Sequence, residues 1–482
     1  MGSTRRSFLQ RSTALAALCS PAFLRASSVD KGCVETVIPS APAGLRMPAE
    51  WHPHKATWMA YGATVEAWGD STETAFDRDL SNSRIVARQD LVRLAANISR
   101  FERIYLLVND ADDEAQARSL LKAVTAQTSA KDQFSNTLDT SGRIYIGKDK
   151  TQSSLPAIGT FEIVFVRAPL DDLWSRDSAP VISQDAAGKM VGVNLNFNGW
   201  GQWPLSSGVC DWIKDPLKTL AGVIDQPIER DRKVASFINT YTGMPEVRTW
   251  LTAEGGCFEV NGAGLGMAMA SSIINDNRNP NKSQQEIDAE LGRLFGIEHM
   301  IWMPGVKGEE LTDWHIDFTA RFVSKNQIVA AFDRNFEPED NRNELALLAS
   351  IEHINGLPAE KRARYLGDAN AKLDLQMLPV PNIEKVYSSY KTRNVESGIT
   401  ERSLEEFILT TEPGYIGYYH VNGAVIVGQF GDVEADLEAF NSIQALYPEH
   451  LVIQISTDGL ASGGGSIRCA TQQQPLAGRA LL

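Results

Sequence analysis

Cysteine is scarce in this chain: five in 482 residues, at Cys19, Cys33, Cys210, Cys257 and Cys469. Their spacings form neither a disulfide framework nor a paired zinc motif. A surplus of positive charge is also missing. Lys and Arg number 46 against 60 Asp and Glu, a formal net charge of -14, which argues against a nucleic-acid surface. The apolar stretch from Ser12 to Leu18 is too short for a permanent membrane helix. No exact internal repeat is visible. What remains is ordinary globular composition, 43% hydrophobic and 22% charged, ample for a sizeable core. An acidic body of this kind attracts small cations.

The amino terminus is informative. Thr4-Arg5-Arg6-Ser7-Phe8-Leu9-Gln10 is a twin-arginine signature, so residues 1–26 read as a twin-arginine signal peptide. Residues 27–46, rich in small residues and proline, read as a linker, and 47–482 as the functional domain. This reading implies a periplasmic or secreted protein that meets the export machinery transiently and keeps no stable membrane anchor. Twin-arginine substrates cross already folded, so Cys469 is expected as a free thiol. His52 and His54 sit at strand spacing, but no carboxylate or third histidine is known beside them, and no metal is assigned.

Past the linker, short apolar runs alternate with amphipathic segments, the mark of an α/β fold. Ile104–Val108, Ile163–Val166, Ile328–Phe332, Val425–Val427 and Leu451–Ile455 read as buried strands. Arg84–Ile98, Asp112–Ala126, Ser283–Leu294, Glu339–Ile351 and Glu434–Leu446 read as helices. Residues 127–152 and parts of 361–402 are polar and read as surface decoration.

Four segments carry candidate chemistry. Ser462-Gly463-Gly464-Gly465-Ser466-Ile467-Arg468-Cys469 joins three glycines to a thiol, as suits a nucleophile at a cavity floor. Thr312-Asp313-Trp314-His315-Ile316-Asp317-Phe318 reads as strand-like, which points His315 and Asp317 the same way. Asp171-Asp172-Leu173-Trp174-Ser175-Arg176-Asp177 gathers three carboxylates, a tryptophan and an arginine after an apolar run. Ala253-Glu254-Gly255-Gly256-Cys257 sets a carboxylate before two glycines. Each alone is weak evidence, since buried cysteines are mostly packing and Glu-Gly-Gly is mostly a turn.

Taken in order, these segments resemble the agmatine deiminase and bacterial peptidylarginine deiminase family of the guanidine-modifying superfamily. Met47-Pro48-Ala49-Glu50-Trp51-His52-Pro53-His54, Phe197-Asn198-Gly199-Trp200-Gly201 and Asn277-Arg278-Asn279-Pro280 resemble further family segments. The likeness runs from about Met47 to Pro475. It implies a five-bladed ββαβ propeller (pentein) around a central polar site, no metal and no cofactor. Carried over by residue, it implies that Asp177 and Asp317 hold a guanidinium, and that Cys469 attacks its carbon as a thiolate. His315 would move protons, Glu254 would orient His315 or substrate, Trp174 would wall the pocket, and Gly464 and Gly465 would lie against substrate. The implied substrate is agmatine, converted to N-carbamoylputrescine and ammonia. The arginine side chain of a peptide is the alternative, and a non-catalytic guanidino-binding protein is an alternative of another class. Arg468 and Gly417 depart from the family pattern, where histidine and asparagine are usual. The sequence sets no oligomeric state.

Overall fold

The computed structural model describes residues 44–69, 75–130, 145–146, 155–201, 227–308, 311–332, 340–394 and 403–478. The signal peptide read at 1–26, most of the linker, and Cys19, Cys33 and Cys210 lie outside them. Leu45 is buried and Arg46 bridges to Gln184, so the body already holds the chain before residue 47. Among the described residues, no helix is long and apolar enough to cross a membrane.

Five small sheets repeat one plan among the described residues. A hairpin of two antiparallel strands is followed by a helical crossover to a third strand, parallel to the second. Val181–Gln184 and Met190–Asn194 form one hairpin, completed by Glu246–Arg248 after the helix Val234–Thr242. Phe258–Val260 and Leu265–Met269 form the next, completed by His299–Met303 after Gln284–Phe295. Ala320–Ser324 pairs with Gln327–Ala330, which takes Asp374–Met377 as its parallel neighbour. Tyr419–Val421, Ala424–Gln429 and Leu451–Ser456 repeat the plan around the helix Val433–Leu446. The remaining sheet joins the two ends of the described chain. Gln472–Pro475 pairs antiparallel with His54–Ala60, which runs parallel to Arg103–Val108 and, through it, to Ile163–Arg167.

The strands buried on both faces are those with continuous apolar runs. Leu451–Ser456 and Ala424–Gln429 are buried at every position, and the hydrophobic effect favours their meeting. Helices start where capping demands. Ser283 and Glu286 form a reciprocal capping box, and Gly296 ends that helix in a left-handed conformation.

Two expectations change. The polar stretch 127–152 was read as decoration, yet Tyr145–Ile146 adds an antiparallel strand to Leu451–Ser456. Within 361–402, Asp374–Met377 joins a sheet, and the helix Ile383–Arg393 buries Val386 and Tyr390. A sparse apolar pattern hid both, because two or three buried side chains suffice for an edge strand or a short helix.

The plan explains how the catalytic candidates meet. Asp177 lies just before Val181–Gln184, Glu254 before Phe258–Val260, Asp317 before Ala320–Ser324, Gly417 before Tyr419–Val421 and Cys469 before Gln472–Pro475. The same entry loop recurs in each repeat, and these loops bring their residues together.

Candidate active site

The two segments that flank the thiol are stitched directly. The Arg176 amide donates to the Cys469 carbonyl at 2.9 Å, and Arg176 Nε donates to the Arg468 carbonyl at 3.3 Å. The Trp174 ring lies against Gly465, where any Cβ would overlap it. Gly464 takes φ 85°, a left-handed turn that only glycine adopts freely. Gly256 leaves equally little room beside the ring of His315. A Cβ at 256 would strike His315 Nδ1 and come within 3.2 Å of Asp177 Oδ1. These glycines are therefore steric requirements of the centre.

His315 and Asp317 are not on a strand, contrary to the sequence expectation. Asp313 and Trp314 take φ 62° and 73°, and His315 caps the short 3-10 helix Ile316–Phe318. Left-handed conformations at such residues cost about 1–3 kcal/mol each and persist only where surroundings impose them. The restraint here is Arg278, whose Nη1 holds Asp313 Oδ2 at 2.7 Å and whose Nη2 donates to the Thr312 carbonyl at 2.8 Å. The turn gives the two residues different partners. His315 Nε2 faces Glu254 Oε2 at 3.1 Å, while its Nδ1 stands 3.9 Å from Asp177 Oδ1. Asp317 Oδ2 instead accepts from Arg468 Nη1 at 2.6 Å.

Of the three carboxylates expected near Trp174, only Asp177 belongs to the centre. The amides of Asp171 and Asp172 both donate to Asp231, and Asp172 Oδ1 accepts from Trp68 Nε1 at 2.7 Å. Both acids shape the loop. Asp177 Oδ2 accepts from Trp200 Nε1 at 2.9 Å, and its Oδ1 accepts from the Gly256 amide at 3.3 Å.

Electrostatics separates the groups. Burial pushes Asp177 up to about 6; His315 and the Trp200 bond oppose this, while Glu254 and Asp317 add to it. Glu254 is equally buried, yet the Arg278 guanidinium and His315 outweigh burial and hold it at about 2. Burial pushes the Cys469 thiol up to about 12, reinforced by Asp317 and Asp177 and eased by Ser466. A thiol held that high is protonated at neutral pH. Burial alone would lower His315, but Cys257, Asp177 and Glu254 raise it well above its usual value.

The sequence reading gave no role to several residues that the centre uses. Glu50 sits between Arg321 at 2.6 Å, Arg468 at 3.0 Å and Arg176 at 3.6 Å. Glu259 pairs with Arg468 at 2.7 Å and with Arg321 at 3.1 Å. Cys257 donates from Sγ to Glu254 Oε2 at 2.9 Å, and Ser466 Oγ lies 3.3 Å from Cys469 Sγ. Glu50, Arg176, Trp200 and Arg278 stand inside motifs that carried the family resemblance, which was the one available signal. Gly417 also gains a reason: a Cβ there would overlap Ser466, so serine occupies the space that a larger residue at 417 would need. Cys257 and Cys469 are both free.

Comparison with known proteins follows this geometry. A family model described as Porphyromonas-type peptidyl-arginine deiminase matches residues 46–475. An agmatine deiminase of Medicago truncatula is 26% identical over 452 residues, covering 90% of this chain and 96% of that protein. An agmatine deiminase of Pseudomonas aeruginosa (strain LESB58) is 25% identical over 434 residues, covering 90% and 96%. Among solved structures, an agmatine deiminase of Enterococcus faecalis gives a TM-score of 0.62 at 21% identity, covering 90% and 96%. One of C. jejuni gives 0.60 at 17%, covering 90% and 97%. At these identities the structural likeness is one of fold.

Arg278 is fully buried between Glu254 and Asp313. Arg278→Ala leaves two buried carboxylates without their cation and should destabilise the protein by about 3–5 kcal/mol. Denaturant melting measures it, and an unchanged midpoint contradicts the assignment.

Proposed function

The chain belongs to the Porphyromonas-type peptidyl-arginine deiminase family, and from that membership we propose that it hydrolyses the C–N bond of a guanidino compound, agmatine first among them. One observation carries this reading. Asp317 Oδ1 is buried and has no hydrogen-bond donor, although Oδ2 is taken by Arg468. A buried carboxylate oxygen without a donor is costly, and a substrate guanidinium supplies planar N–H groups suited to it. Asp177 is the second acid near the same thiol.

The proposed sequence uses this chain's own groups. The guanidinium enters between Asp177 and Asp317 and offsets their negative charge, which adds to burial in holding Cys469 protonated. The thiol then gives its proton to solvent, His315 being already protonated, and the sulfur bonds to the guanidinium carbon. Ammonia leaves with a proton from His315, giving a covalent S-alkylthiouronium. His315 next takes a proton from water, which attacks the same carbon; the C–S bond breaks and the thiol re-forms beside a ureido product. Glu254, held ionised by Arg278, orients His315 through the 3.1 Å contact. Trp174, packed on Gly465, walls the space.

The curated relatives named agmatine deiminase support agmatine as the substrate; its hydrolysis would give N-carbamoylputrescine and ammonia. The description of the matching family model favours the second reading, an arginine side chain in a peptide. For the architecture we extend the repeated plan to a closed five-bladed ββαβ propeller of pentein type. It is supported by five sheets, by the pairing of Gln472–Pro475 with His54–Ala60, and by entry loops that share one centre. Export through the twin-arginine route is likewise part of the proposal, resting on Arg5 and Arg6.

Purified protein given agmatine, free arginine and an arginine peptide should release ammonia and a ureido product from agmatine. Product from the peptide alone selects the second substrate, and binding without ammonia identifies a non-catalytic binder. Cys469→Ser should abolish turnover while leaving agmatine binding measurable by calorimetry; a fully active serine variant refutes the thiol mechanism. Binding needs Asp177 ionised, so affinity should fall as pH drops through about 6, approaching about tenfold per pH unit below it. An affinity flat between pH 5 and 7 contradicts the clamp. Replacing Arg5 and Arg6 by lysine should strand precursor in the cytoplasm, read by fractionation; unchanged periplasmic yield dismisses the export proposal.

A further inference from the structure

Behind His315, on the side away from Asp177, lies a second thiol that the proposed reaction does not use. Glu254, Cys257 and His315 place three donor atoms within 4.8 Å of one another, all three residues buried. Glu254 Oε2 is the hinge of the group, 2.9 Å from Cys257 Sγ and 3.1 Å from His315 Nε2. A tetrahedral zinc ion binds sulfur at about 2.3 Å and nitrogen or oxygen at about 2.0–2.2 Å. Donors held around such an ion stand slightly farther apart than these hydrogen bonds, so a small outward shift of the Cys257 and His315 side chains admits one. One thiolate, one imidazole and one carboxylate is a donor set that favours zinc over magnesium or calcium.

Local charge agrees. Glu254 and Asp313 share the single guanidinium of Arg278, and Asp177 lies on the other side of the imidazole. Carboxylates therefore outnumber cations around the group even before the thiol ionises. Arg278 Nε touches both oxygens of Glu254 at 3.0 Å, which keeps the carboxylate in place and its Oε2 turned toward the two other donors.

We propose that Glu254, Cys257 and His315 form an inhibitory site for a zinc-type divalent cation. On binding, Cys257 gives its proton to solvent and a metal–sulfur bond replaces the S–H···O bond to Glu254. His315 likewise gives its Nε2 proton to solvent and binds through that nitrogen as the neutral ring, its one remaining proton staying on Nδ1. Water completes the coordination. A ring locked in this way cannot cycle between proton donor and acceptor, so turnover stops although Cys469 is untouched. The inhibitory consequence rests on the deiminase reading; binding of the metal does not.

The test separates the two. Co2+ added to Cys469→Ser, which lacks the nucleophilic thiol, should produce a near-ultraviolet thiolate-to-cobalt charge-transfer band. That band should vanish when Cys257→Ser is added, and His315→Ala should weaken Co2+ affinity by about tenfold or more. No band in Cys469→Ser, or a band that survives Cys257→Ser, overturns the proposal without reference to turnover. With the unmodified protein, preincubation with Zn2+ should cut ammonia release at least about tenfold and a chelator should restore it, while Mg2+ has no effect. Cys257→Ser, compared with its own metal-free rate, should resist the same Zn2+. Equal inhibition of that variant places the metal elsewhere and refutes the site.

Discussion

Everything at the centre depends on one buried ionic lattice. Three guanidinium groups, Arg176, Arg321 and Arg468, alternate with the carboxylates of Glu50, Glu259 and Asp317, and every one of the six is nearly inaccessible. Taking such charges out of water costs several kcal/mol per ion and is offset only when each has its partner in place. The members come from the first described strand's entry, from loops and strands of the intervening sheets, and from the carboxy-terminal segment. The lattice therefore cannot be satisfied piecemeal. Like the pairing of Gln472–Pro475 with His54–Ala60, it ties the ends of the described chain together.

The reactive residues hang from this lattice. Arg468 adjoins Cys469 in sequence and grips Asp317 through Nη1, which sets the thiol and one acid in fixed relation. Its bond leaves a single oxygen of Asp317 for a ligand. The neighbouring acids are divided by their surroundings alone. Glu254 keeps its charge because Arg278 lies against both its oxygens, whereas Asp177 has a distant imidazole, a tryptophan N–H and one backbone amide but no guanidinium, and burial draws it up to about 6. Two carboxylates beside one histidine thus differ in how strongly each holds a proton.

Much of this was legible in the sequence where periodicity was strong. The helices at Ala111–Ala130 and Gln284–Phe295 and the strands at Arg103–Val108 and Leu451–Ser456 all lie where apolar spacing placed them. The three-residue strand Phe258–Val260 was not legible, because so short a run carries no detectable period. The turn at Asp313 and Trp314 was hidden for a different reason. Its left-handed backbone is imposed by Arg278, distant in sequence, so local propensity favoured the strand that the structure lacks. Asp171 and Asp172 looked equivalent to Asp177 in composition. Only the position of Asp231 reveals that they serve a loop.

The amino-acid order by itself determined the chemistry at hand: a thiol, an imidazole, acids in a recognisable succession, and an alternation of strands and helices. Those are local properties, set by residue type and spacing. Folding decided which acids gather around the thiol and imidazole, which face arginines, and how strongly each holds a proton. It also set Cys257 against Glu254 and His315, and left one oxygen of Asp317 without a donor. Such outcomes depend on burial and on partners far apart in the chain, and desolvation acts only once the folded centre has excluded water.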